Sequence, residues 1–353
     1  MAPRTPEVHD HGVRVAVVGA GVVGLSTTAA LLQRGVEVVC YERTGVMMNE
    51  RSAGSSRIFR LAHGTPELVR WAAEARVGFD RWAEQAGRPM VTTPGCVISG
   101  PDVPAWASAM AAADAPFSLV DGDALRVPAR KPPDGALLDP SGGVVDVDAV
   151  RAHLVALTRY VVIPAPVHAV EAAANGASVW SPSGRVRFDA VLVAAGAGTS
   201  PLAAQVGIET PSALEHHVRF TFPVDDAVDW QSWIDTPPAG LGTYQHRSGP
   251  GQWAVGGHLD AESTAWEVGR DVATGASRAA VLDHVRKYLA VEPRIVETLY
   301  CTPTPGLGDG IHVRRSGQVL VVYGENLFKF APLLGDALAT ACTEGSTPQF
   351  SGR

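Results

Sequence analysis

Residues 15–42 read VAVVGAGVVGLSTTAALLQRGVEVVCYE, and their spacing decides the fold. A β-branched run, Val15 to Val18, meets Gly19, Gly21 and Gly24. An apolar helix follows, ending near Gly35, and a second β-branched run ends in Glu42. The three glycines serve different ends. Gly19 permits a tight turn, Gly21 lets backbone approach a pyrophosphate, and Gly24 lets the helix pack closely on the sheet. The free N–H groups at the helix start, around Val22 and Val23, attract phosphate. Glu42 closes the second strand, where a carboxylate accepts from ribose hydroxyls. The pattern predicts a Rossmann-like unit that binds an adenine dinucleotide.

Composition narrows the remaining choices. The chain has 353 residues, 46% hydrophobic and 18% charged, which suits one large or two medium globular domains. A net charge of −7 argues against a nucleic-acid partner. No apolar run approaches the roughly 20 residues a membrane span requires. The opening MAPRTPEVHDHG is polar and lacks a signal-peptide core, so a cytoplasmic location is expected. Cys40, Cys96, Cys301 and Cys342 show neither metal-ligand nor disulfide spacing. Lysine occurs only at Lys131, Lys287 and Lys329, so a lysine inside a motif carries weight.

Outward from the fingerprint, the loop 43–56 is rich in small residues, and a helix is expected over 66–85. Its apolar positions Leu68, Trp71, Ala75, Phe79 and Trp82 recur at helical spacing. Residues 90–140 alternate short strands and turns, with an Ala-rich helix near 105–113; residues 142–159 read as a turn and a helix. The run 189–198 reads as a buried strand returning to the first sheet. Residues 211–260 alternate, as antiparallel strands do. A helix is expected over 277–289, capped by Ser277, then a hairpin in GIHVRRSGQVLVVYG and a final loop and helix. The expected fold is α/β: a Rossmann-like domain (12–88, 142–210, 300–345) interleaved with an antiparallel-sheet substrate domain (89–141, 211–299).

Four blocks carry a family resemblance: the fingerprint, SAGSSRIFRLAHG, DAVLVAAGAG and YGENLFKFAPLLGDALA. With these the chain resembles the sarcosine oxidase and N-methyltryptophan oxidase group of the D-amino-acid-oxidase-like flavoenzymes. The second and fourth blocks are the specific ones. The resemblance implies FAD as cofactor. It also implies oxidation of a C–N bond, by hydride transfer to flavin, in a small carboxylate-bearing amine such as a secondary or cyclic amino acid. Oxygen or another electron acceptor would be the second partner, and a place in specialised metabolism is expected.

The resemblance assigns residues as follows. FAD would be met by Gly19, Gly21, Val22, Val23, Gly24, Glu42, Arg43, Ser52, Ser55, Ser56, Arg57, Val167, Ala195, Gly196, Cys301 and Lys329. Cys301 would be the point of covalent attachment. Arg60, the second arginine of S-x-G-x-x-R-x-x-R, would grip the substrate carboxylate, a role suited to a planar guanidinium fork. Lys329, in F-K-F, would share that carboxylate and act beside the flavin. Tyr244 and His258 would face the substrate, His258 holding the amine neutral or taking its proton. Trp253 could stack on a cyclic substrate.

Two departures stand out. The family's G-H-G ahead of F-K-F is replaced by Glu325-Asn326-Leu327. The family's oxygen-activating lysine, four residues before the histidine, is replaced by Ala254. Alanine cannot stabilise a superoxide-like transition state. A dehydrogenase using an acceptor other than oxygen is therefore the competing expectation.

Overall fold

The computed structural model describes residues 12–350, so the polar opening lies mostly outside them. The first sheet has six strands in the order 311–316, 319–324, 190–193, 14–18, 37–41, 162–163. Its neighbours are parallel except for the hairpin 311–324 at one edge. Val17 lies opposite both Leu192 and Cys40, so the expected returning strand pairs directly with the first. Both faces are covered, which is why these strands are apolar without alternation. Val15 and Val17 pack toward the helices, with Leu25 and Leu334. Ala16 and Val18 pack toward a three-stranded antiparallel sheet, with Val170, Val179 and Phe188.

Helix Val22–Gln33 is buried from Val22 through Leu31. It lies beneath helix Ala331–Glu344, where a Cβ on Gly335 would collide with the backbone of Ser26. Helix Pro66–Ala86 begins as its sequence directs: Thr65 accepts from the Leu68 amide, Pro66 fills the first turn, and Gly87 ends it in the left-handed region. Ala75 and Phe79 are buried in the core; Leu68, Trp71 and Trp82 pack half-buried against it.

The second large sheet has eight strands, in the order 297–301, 217–223, 252–258, 242–249, 232–235, 96–99, 136–139, 118–120. It is antiparallel except where 232–235 runs parallel to 96–99. That parallel pair joins the two segments of chain that reach this sheet on separate passes. Strand Glu297–Cys301 pairs with His217–Pro223 and crosses the expected boundary at 299/300.

Two local readings are corrected. Gly143–Asp146 is a strand paired with Ser56–Phe59, not a turn; Asp146 then caps helix Val147–Thr158 through the Ala149 amide. The helix expected at Ser277 spans Arg270–Tyr288, with Ser277 buried inside it. Its N-terminal cap is Gly269, at a positive φ that glycine tolerates. Among the described residues no helix is long and apolar enough to cross a membrane, and no His/Cys/Asp/Glu group could hold a metal ion.

Candidate active site

A cavity of about 1020 Å³ runs from the glycine turn to Lys329. Gly19, Gly21, Val22 and Val23 line one end, with Glu42 and Arg43 beside them. A Cβ on Gly19 would strike the Ala194 carbonyl, and one on Gly24 the Gly19 carbonyl. The helix start after Gly21 has no side-chain cap and no acidic residue in its first turn. Its Val22 amide donates to the Ser52 hydroxyl (3.0 Å). Glu42 accepts from the Ala20 amide (3.0 Å) and from the Thr44 amide and hydroxyl (both 2.9 Å), which fixes its carboxylate at the strand end. Val167, Ala195 and Gly196 line the same trough, and Arg43 is paired with Glu50.

The other end of the cavity is a charge cluster. Arg60 is buried and stacks on the Trp106 ring at 4.7 Å. Its Nη2 donates to Asp309 Oδ2 (2.7 Å), and Nη1 donates to the Ala62 carbonyl. Lys329, also buried, donates to Asp309 Oδ1 (3.3 Å) and lies 2.9 Å from His63 Nε2. Burial, then Arg60, push the Lys329 pKa down to about 8. Burial opposes ionisation of Asp309, but the charges of Lys329 and Arg60 outweigh it and hold its pKa well below the carboxylate range. Burial and the two cations keep His63 neutral. Arg60 and Lys329 thus hold a carboxylate between them, and that carboxylate is the protein's own Asp309.

The facing wall comes from the eight-stranded sheet. Along its strands alternate residues point into the cavity: His217 and Arg219, Tyr244 and His246, and His258. Tyr244 Oη lies 2.6 Å from His217 Nε2, the two rings are stacked, and the His258 ring is tilted 5.7 Å from that of Tyr244. Burial, then His258 and Arg219, lower the His217 pKa to about 4. Burial lowers that of His258 below 6.5. Both rings are neutral near pH 7.

Deeper in this wall, Arg219 Nη1 donates to the Ser56 carbonyl (3.1 Å) and lies 3.1 Å from His246 Nε2. Arg219 Nε and Nη2 and His246 Nδ1 have no partner among the described residues. Arg57 donates to the carbonyls of Ser56, Arg51 and Ala53, and burial, then Arg219, lower its pKa to about 10. Neither guanidinium is paired with a carboxylate among the described residues. Cys301 ends the neighbouring strand and lines the cavity. Burial raises its thiol pKa, against the pull of Arg57, Arg51 and Arg219.

Four expected contacts fall elsewhere; Gly24 does not line the cavity but packs against the Gly19 carbonyl. Trp253 is fully buried on the opposite face of its strand, with Phe220, Phe222 and Val281, and its indole N–H donates to Gln245 (2.9 Å). Adjacent strand residues point to opposite faces, so Trp253 and Ala254 could never share the site. Ser55 and Ser56 do not line the cavity; their hydroxyls bond to the Ser248 carbonyl and to His246. The sequence reading left out Asp309, His63, His217 and Arg219. The alternation of HHVRFTF could have flagged His217 and Arg219, both in phase on one face.

The architecture is that of an α/β dinucleotide-binding enzyme. The chain belongs to the FAD dependent oxidoreductase (DAO) family, whose model matches residues 14–341. No curated protein matches it by sequence. Among solved structures it resembles the open form of NikD, an unusual amino acid oxidase essential for nikkomycin biosynthesis. The identity is 21%, the coverage 96% of both chains and the TM-score 0.81. It also resembles L-proline dehydrogenase from P. horikoshii (15% identity; 95% of this chain and 94% of that one; TM-score 0.75). A third likeness is glycine oxidase from Geobacillus kaustophilus (17%; 96% and 97%; 0.73). Identities this low establish the shared fold. FAD fits the residues present. The crowded Gly19 and Gly24, the uncapped helix start and the fixed Glu42 form a cradle for a pyrophosphate and a ribose.

Proposed function

We propose that this oxidoreductase oxidises the C–N bond of a small carboxylate-bearing amine, a secondary or cyclic amino acid, to the imine. The observation that carries this reading is the pair Arg60 and Lys329, which already hold a carboxylate at the cavity wall. Bound FAD would supply the hydride acceptor, and oxygen would be the terminal electron acceptor, leaving as hydrogen peroxide. The protein's own part is to hold the substrate. Arg60 and Lys329 take its carboxylate, and Tyr244 and His258 face its amine. Neutral His258 accepts the amine proton, since only an unprotonated amine gives up a hydride readily. The motifs SAGSSRIFRLAHG and YGENLFKFAPLLGDALA support placement near the sarcosine and N-methyltryptophan oxidases. On this reading residues 12–88, 142–210 and 300–345 carry the cofactor, with Cys301 as its covalent anchor. Residues 89–141 and 211–299 form the substrate wall.

A second reading, a dehydrogenase passing electrons to another acceptor, is favoured by Ala254. It is buried between His246 and Thr221 and brings no charge. The deciding experiment is anaerobic bleaching of the flavin by a panel of N-methyl, cyclic and primary amino acids, followed by air. Bleaching with rapid return of colour supports the oxidase, and slow return supports the dehydrogenase. No bleaching by any carboxylate-bearing amine refutes the proposed substrate class.

A further inference from the structure

We propose that Asp309 is a specificity-determining residue: its carboxylate is a resident occupant of the Arg60–Lys329 clamp that an incoming substrate carboxylate must displace. The inference rests on the clamp reading above and adds a competitor to it.

The geometry assigns Asp309 the place of a ligand. Its two oxygens meet Arg60 at 2.7 Å and Lys329 at 3.3 Å on the cavity wall, with His63 at 3.5 Å buried behind them. It comes from the connector between strands Glu297–Cys301 and Ile311–Ser316, which reads TPTPGLGDG. Gly306 and Gly308 there adopt positive φ angles, and neither would meet an obstacle if it carried a Cβ. The connector is therefore flanked by open space at these two positions.

The Glu215 amide donates to the Pro303 carbonyl (3.1 Å), and two further tethers come from residues that depart from the family pattern. Asn326, itself left-handed at φ 55, donates to Asp309 Oδ1 (2.7 Å). Glu325 accepts from the Thr304 amide (2.7 Å) and pairs with Arg51. Glu325 and Asn326 thus pin the connector at both its ends.

The exchange is balanced in charge. Arg60 and Lys329 bring two positive charges and Asp309 one negative, so the cluster keeps an excess of one. Replacing one carboxylate by another leaves that count unchanged, while Asp309 regains water. A neutral or cationic ligand cannot make the exchange, because ejecting Asp309 without a replacement would leave two buried cations bare. The plug therefore lowers the affinity of every carboxylate while rejecting amines that lack one.

The test is a titration of the purified flavoprotein with benzoate and acetate, read by perturbation of the flavin spectrum and by calorimetry. Wild type, Asp309→Asn, Asn326→Gly and Arg60→Ala are compared. Asp309→Asn is expected to bind benzoate about tenfold more tightly, and Asn326→Gly more tightly by a smaller factor. Should Asp309→Asn fold poorly, Asn326→Gly decides, since glycine keeps the left-handed turn and removes only the tether. Unchanged or weaker binding in both variants, with Arg60→Ala abolishing it, overturns the plug and leaves the clamp standing. Equal binding by wild type and Arg60→Ala refutes the clamp, and the plug with it.

Discussion

The ring of Tyr244 lies flat over Gly256, its cross-strand partner, where any Cβ would overlap the ring. The bare glycine lets the phenol reach across the sheet to His217, 2.6 Å away. Gly256→Ala should therefore dislodge Tyr244 and break that bond. Stability should fall by about 1–3 kcal/mol, the usual cost of overpacking. A urea midpoint indistinguishable from wild type would mean the ring moves without strain. A weaker amine substrate with unaltered carboxylate binding would place Tyr244 at the amine.

The clamp predicts a large effect from either cation. Removing Arg60 or Lys329 should weaken carboxylate binding by about 100-fold or more, as loss of one partner of a buried charge pair does. The flavin should stay bound, because the glycine turn is remote from the change. Spectral titration reads both quantities at once. Normal substrate affinity in Arg60→Ala and Lys329→Met would sink the assignment.

Carboxylate affinity should be flat at lower pH and decline as pH rises through about 8, where Lys329 loses its proton. The sign follows from the charge: only the ammonium attracts the anion. Lys329→Met should bind weakly at every pH, with that inflection gone. Persistence of the inflection in the variant would assign it to another group.

The buried histidines predict acid sensitivity. His217 has its pKa lowered to about 4 in the folded chain against 6.5 unfolded, and those of His63 and His246 lie well below 6.5. As pH falls below 6.5 the unfolded chain takes up protons that the folded chain refuses. Stability is full above 6.5 and drains away toward 4, at up to about 1.4 kcal/mol per pH unit for each such histidine. Urea midpoints at pH 7 and 5 measure this, and His246→Phe should narrow the gap.

Arg219 is buried beside half-buried Arg57, with two of its nitrogens unpartnered among the described residues. Removing a buried charge that lacks a carboxylate partner relieves its desolvation cost. Arg219→Met should raise the urea midpoint. It should also lower the midpoint potential of the bound flavin, since a cation on the cavity wall favours uptake of electrons. A potential unchanged by dye titration would make Arg219 purely structural.

Much of this arrangement could be read from local sequence. The strand, glycine turn, helix and acid of residues 15–42 are contiguous, and each residue type has one physical reason to be there. The returning strand and the last hairpin were legible from their apolar runs. Arg60 and Lys329 were found through motif resemblance. Asp309 was not, because it sits 249 residues from its partner Arg60 and no periodicity links them. Trp253 is turned away from the cavity by strand alternation, which the size of its side chain does not reveal. Ser277 resembled a helix cap, but Gly269 and the core chose the earlier start.

Helix Val22–Gln33, buried from Val22 through Leu31, is roofed by helix Ala331–Glu344, with Gly335 set against the backbone of Ser26. Roughly 300 residues of chain separate this helix from its roof. Until the two segments meet, the helix that follows the glycine turn lacks its cover, a hazard for aggregation. The phosphate cradle is thus a local motif whose support is long-range, and its closure reports that distant parts of the chain have found each other.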